Sequence, residues 1–109
     1  MKKLFVYGSL GPGRPNEHII SSIGGSWQTA SVRGNLYEEG WGAAMGFPGL
    51  IMDEEGEVVN GFVFSSENLP EHWERLDAFE GEAYERVVAK VLLENGTSVD
   101  AYLYALRRK

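Results

Sequence analysis

Apolar residues recur along this chain in two rhythms, and the rhythms divide it into elements. Lys3 to Tyr7 is a short β-branched and aromatic run ending at Gly8, which predicts a first strand. Gly8 to Pro15 carries three glycines and two prolines and cannot continue as regular structure. Asn16 is placed to cap a short helix, Glu17 to Ile23, that stops at Gly24-Gly25. Trp27 to Glu38 reads as extended, with Gly34 a bulge or crossing point. Glu39 to Gly46 reads as a loop. Phe47 to Met52 and Val58 to Phe64 follow as two strands joined through Asp53-Glu54-Glu55-Gly56.

The rhythm then changes. Leu69, Trp73, Leu76 and Phe79 are spaced to share one face of a helix. Asn68 or Ser66 can cap its start, Pro70 suits its first turn, and Gly81 can close it. Beyond it, Tyr84 to Glu94 and Thr97 to Leu106 flank Asn95-Gly96, a strong hairpin signal. Strand, loop, short helix, strands, one main helix and a terminal hairpin make an α+β chain with a dominant, mixed and mostly antiparallel sheet. Closure of that sheet into a barrel cannot be read from periodicity. With 109 residues, the expectation is a single domain over 1–109.

Composition narrows the chemistry. There is no cysteine, so disulfides, thiolate metal sites and a cysteine nucleophile are excluded. The net charge is −6 and the only basic cluster is Arg107-Arg108-Lys109, which argues against a nucleic-acid partner. No apolar stretch approaches the ~20 residues that span a bilayer. No signal peptide is visible, and a cytoplasmic location is the expectation. His18 and His72 lack a neighbour at triad or metal-ligand spacing, so no metal is expected.

Two places could carry chemistry. A strand that opens at Tyr7 into Gly8-Ser9-Leu10 exposes successive backbone N–H groups, which can cradle a carboxylate or oxyanion, or form an ordinary turn. Glu80 follows buried-face Phe79 at the end of the main helix. There the negative end of the dipole and any burial both disfavour ionisation and move the carboxyl toward neutral pH. The same position also suits a solvated surface glutamate. Asp77 and Glu82 lie nearby, although carboxylates this close in sequence are more often separate surface charges. Trp41, in the glycine-rich loop, is the tryptophan best placed to touch a ligand.

Taken together, these blocks resemble the gamma-glutamylcyclotransferase-like family, in its short bacterial and plant-type subgroup. The resemblance is carried by Leu4-Phe5-Val6-Tyr7-Gly8-Ser9-Leu10, Asn16, Val32-Arg33-Gly34-Asn35-Leu36-Tyr37, Phe47-Pro48-Gly49-Leu50 and Val59-Asn60-Gly61-Phe62-Val63-Phe64. It continues through Leu76-Asp77-Ala78-Phe79-Glu80-Gly81 with Tyr84 and Arg86, and Ala101-Tyr102-Leu103-Tyr104. The resemblance implies a compact mixed β-barrel with one main and one short flanking helix. It implies cleavage of a γ-glutamyl amide to 5-oxoproline and a free amine or amino acid, without a cofactor. It also implies Glu80 as general acid/base, the backbone of Gly8, Ser9 and Leu10 as substrate holder, and Tyr7 and Tyr84 as pocket lining. Many relatives carry a basic residue directly after the loop; here Gly11 stands there and Arg14 follows three residues later. A non-catalytic module that binds a γ-glutamyl or amino-acid ligand, and an amidase that uses water, remain the alternative readings.

Overall fold

A computed structural model of the chain describes residues 1–7, 13, 17–37 and 49–107. The strands are β1 (Lys3–Val6), β2 (Ser26–Tyr37), β3 (Gly49–Met52), β4 (Glu57–Ser65), β5 (Tyr84–Leu93) and β6 (Ser98–Leu106). The helices are α1 (Glu17–Ser21) and α2 (Trp73–Glu80). The predicted loop at 8–12, Arg14, Asn16, the Glu39 to Gly46 loop with Trp41, the start of the third strand at Phe47, and Arg108-Lys109 lie outside the described residues.

The sheet order is β3-β2-β4-β1-β6-β5, and β5 returns to β2. Strands β2, β4, β1, β6 and β5 therefore close a barrel, with β3 added beside β2. β1 and β6 run parallel, meeting at Leu4 and Tyr102, and the other pairings are antiparallel. β2 is long enough to serve both edges. It pairs with β4 from Ser26 to Gly34, with β5 at Ala30 and Ser31, and with β3 from Gly34 to Tyr37. Gly34 is the crossing point, as its position in the pattern indicates. A Cβ there would lie 2.6 Å from Leu50 Cδ1 and 2.7 Å from the Ile51 carbonyl oxygen.

Strand alternation builds two cores. Phe5, Val32, Val63, Val91, Leu103 and their neighbours pack together in one cluster. In a closed sheet this face is the barrel interior. Residues of the opposite parity, among them Leu4, Val6, Phe64, Tyr104 and Leu106, form a second cluster with Ile20 of α1 and Leu76 of α2. The helices thus cover one outer side of the barrel.

The main helix differs from its sequence expectation at its start. Leu69–Glu71 is a 3₁₀ turn, and the chain bends at His72 before α2 begins. Neither Asn68 nor Ser66 caps α2. The Ser66 hydroxyl accepts the Asn68 N–H at 3.1 Å and donates to the Gly24 carbonyl at 2.6 Å. The Asn68 amide donates to the Ile23 carbonyl at 3.2 Å. Both side chains are spent on joining this turn to the end of α1. Leu69 and Leu76 are nonetheless fully buried, with Trp73 and Phe79 packed beside them. The Asn95-Gly96 hairpin forms as expected; the Leu93 N–H bonds the Thr97 carbonyl, and Asn95 Oδ1 accepts the Thr97 N–H.

Candidate active site at the end of the main helix

Glu80 is the last residue of α2, and Gly81 ends the helix in a backbone conformation (φ 79°) that suits glycine. The Gly81 N–H donates to the Asp77 carbonyl at 3.0 Å, so the helix is hydrogen-bonded up to the residue that follows the carboxylate. Burial pushes the Glu80 carboxyl up to about 7. A buried carboxylate loses hydration that the neutral acid does not need. Burial, one of the two causes the sequence offers, accounts for this rise.

Tyr7 follows the last residue of β1 and stacks on Phe5, with ring centroids 6.3 Å apart. Its hydroxyl donates to the Tyr104 carbonyl at 2.5 Å and accepts the Leu50 N–H at 3.0 Å. One side chain thus links β1, β6 and β3. Burial, with the nearby Glu80 and Tyr84 charges, holds its hydroxyl protonated well above the usual tyrosine range. Tyr84 opens β5 and is buried. Glu80 of α2 and Tyr84 of β5 thus lie close enough to Tyr7, just past β1, for their charges to act on its hydroxyl. Gly8, Ser9 and Leu10, the other expected substrate contacts, lie outside the described residues.

Three further residues attach to this cluster. The Tyr104 hydroxyl donates to Asp77 Oδ1 at 2.7 Å. Burial first, and this bond second, keep the Tyr104 hydroxyl protonated; the Glu80 charge acts in the same direction. The other Asp77 oxygen lies 3.5 Å from an Arg86 nitrogen. The Arg86 guanidinium rests 4.9 Å from the Trp73 ring centre and 4.7 Å from that of Tyr102, and those rings meet edge to face. Asp77 is thus not a lone surface charge. Tyr104 has no site role in the sequence reading. Its strand parity with Tyr102 signals the shared face, but no local pattern signals its partner.

A groove of about 420 Å³ beside the helix end is lined by Asp77, Gly81, Tyr84, Arg86, Tyr104, Arg107 and neighbours. Glu80 and Tyr7 are not part of its lining, so this groove does not hold the candidate acid/base group. Among the described residues no cluster of three or more His, Asp or Glu is disposed to hold a metal ion. No helix there is long and apolar enough to cross a membrane.

The barrel and its flanking helices have counterparts among known proteins. The family model described as gamma-glutamyl cyclotransferase, AIG2-like, matches residues 4–109. Among solved structures, YkqA from Bacillus subtilis is 26% identical with a TM-score of 0.72, over 97% of this chain and 36% of that one. The chain thus spans about a third of YkqA. An AIG2-like protein from Mus musculus is 25% identical with a TM-score of 0.71, over 96% of this chain and 76% of that one. A structure described as gamma-glutamyl cyclotransferase shares the fold, with a TM-score of 0.68 at 18% identity, over 98% of this chain and 67% of that one. No curated protein matches the chain. With the family model covering nearly its whole length, the chain belongs to the gamma-glutamyl cyclotransferase, AIG2-like family.

Proposed function

We propose that this protein cleaves a γ-glutamyl amide by intramolecular aminolysis, with Glu80 as general acid/base. The observation that carries the reading is the Glu80 carboxyl, buried at the end of α2 beside Tyr7 and raised to about 7. Near neutral pH such a group is present in both forms, and both are needed.

The substrate brings its own nucleophile. Ionised Glu80 takes a proton from the substrate ammonium. The freed α-amine attacks the γ-carbonyl carbon, and a tetrahedral oxyanion forms. The new C–N bond closes the five-membered ring. Glu80 then returns the proton to the departing nitrogen, the old C–N bond breaks, and the ring nitrogen gives up its second proton to the released amine, which leaves as an ammonium. The products are 5-oxoproline and a free amine or amino acid, and Glu80 ends as it began. Proton transfer of this kind typically contributes ~10²–10⁴-fold. Holding the amine against the carbonyl is worth ~7–11 kcal/mol of barrier, and this falls to the pocket. In this reading the backbone N–H groups of Gly8, Ser9 and Leu10 hold the substrate and the developing oxyanion, and Tyr7 and Tyr84 form the wall. Tyr7 and Tyr104 stay neutral across the working pH range, so neither competes for the proton.

The test is an assay of the purified protein against a panel of γ-glutamyl amino acids, amines and isopeptides, reading 5-oxoproline by mass spectrometry beside Glu80→Gln. The expected result is 5-oxoproline from the wild type and a loss of ~10²-fold or more in the folded variant. Free glutamate in place of 5-oxoproline would assign an amidase. Binding without product from any member would assign a ligand-binding module.

A further inference from the structure

We propose that Asp77 is a positioning residue, which ties the last turn of α2 to the barrel so that Glu80 is held in place near Tyr7. This rests on the catalytic reading above for its effect on turnover, but not for its effect on Glu80 itself.

The geometry is a clamp. Asp77 lies three residues before Glu80, on the turn that ends with it. One of its oxygens accepts the Tyr104 hydroxyl of β6 at 2.7 Å, and the other faces the Arg86 guanidinium of β5 at 3.5 Å. Arg86 is itself lodged against Trp73, at the first turn of α2, and Tyr102 of β6. One carboxylate therefore joins the helix to both strands of the terminal hairpin. The Tyr104 backbone completes the link, because its carbonyl accepts the Tyr7 hydroxyl. A single β6 residue thus holds Asp77 with its side chain and Tyr7 with its main chain.

Asp77 is too far along the helix to be a cap, and its charge is half-exposed, so the ion pair alone is a weak reason for its presence. The bond to a partly buried tyrosine hydroxyl is the directional contact. Among the described residues, the titratable groups tied to Glu80 or to the clamp are Tyr7 after β1, Tyr84 and Arg86 from β5, Tyr104 from β6 and Asp77 from α2 itself.

The experiment compares Asp77→Ala, Asp77→Asn and Tyr104→Phe in the full chain. Two readouts are taken: kcat and KM for 5-oxoproline formation, and the titration of the Glu80 carboxyl by ¹³C NMR in the ligand-free protein. Asp77→Ala is expected to lower kcat by roughly 10²-fold with little change in KM, as for a small displacement of a catalytic group. It should also bring the Glu80 midpoint down toward the ordinary carboxylate range, because a loosened helix end admits water. Asp77→Asn keeps an acceptor for Tyr104 and should recover most of kcat. Tyr104→Phe keeps the Asp77 charge but removes the bond, so it should behave like Asp77→Ala. That comparison separates anchoring from electrostatic repulsion.

A folded Asp77→Ala protein with wild-type kcat and wild-type Glu80 titration overturns the proposal, whatever its loss of thermal stability. If Asp77→Ala does not fold, Tyr104→Phe decides by the same two readouts. If the wild type forms no 5-oxoproline, the catalytic reading fails, while the NMR titration still decides whether Asp77 positions Glu80.

Discussion

Replacing Glu80 with glutamine should make the protein more stable at neutral pH and leave it unchanged in acid. The carboxyl has a folded-state pKa of about 7 against an ordinary value of 4.5. Between those values the folded state keeps the proton and the unfolded chain releases it. Stability therefore falls as pH rises through this window, and the loss is complete once the folded group has also ionised. Below about 4.5 both states are protonated and there is no penalty. At ~1.36 kcal/mol per pH unit, the interval corresponds to about 3 kcal/mol. Glutamine has the same shape and never ionises, so it avoids this cost. The assay is urea unfolding of both proteins at pH 4 and pH 8. With m-values of ~1–3 kcal/mol/M, the variant's midpoint should exceed the wild type's by roughly 1–3 M at pH 8 and by little at pH 4. A stability difference that does not change with pH would refute the burial of Glu80, and with it the reason for assigning it acid/base work.

Other expectations follow from the same geometry. The rate constant kcat/KM should rise with pH through about 7 as Glu80 ionises, and a pH–rate profile on an active γ-glutamyl compound reads this limb. Tyr7→Phe leaves the Tyr104 carbonyl and the Leu50 N–H without their shared partner, and should destabilise by about 1–3 kcal/mol for each group left unpaired, read by urea unfolding. Gly34→Ala forces a Cβ against Leu50 and the Ile51 carbonyl, and should cost about 1–3 kcal/mol in thermal unfolding. Leu76→Ala empties a fully buried contact between α2 and the barrel, and should cost about 2–5 kcal/mol by the same measurement.

Much of the architecture was legible because strands and helices leave local marks. Val58 to Phe64 predicts the strand observed over Glu57–Ser65, and Tyr84 to Glu94 predicts Tyr84–Leu93, because alternation is a property of the segment itself. The main helix was legible in its buried face but not in its start. Periodicity registers Leu69 and Trp73 alike, whereas the break at His72 comes from Ser66 and Asn68 bonding to the end of α1. Glu80 stood out only through the blocks around it; a helix-end glutamate has no local mark of burial. Asp77 read as a surface charge because its partners, Tyr104 and Arg86, are 27 and 9 residues away.

The amino-acid order by itself determined which segments are strands and helices, which of their faces are apolar, where the chain turns, and the family to which those blocks point. The tertiary structure makes the barrel closure that the family resemblance implied and periodicity could not show, through Ala30 and Ser31 of β2 meeting Leu93 and Leu92 of β5. It alone decided that β1 inserts between β4 and β6, so that Tyr7 reaches the Tyr104 carbonyl. And it alone decided the pKa of Glu80. The physical reason is common to all three. Side-chain period depends on neighbours along the chain, but strand partners, hydrogen-bond partners and desolvation depend on residues brought together from distant parts of it.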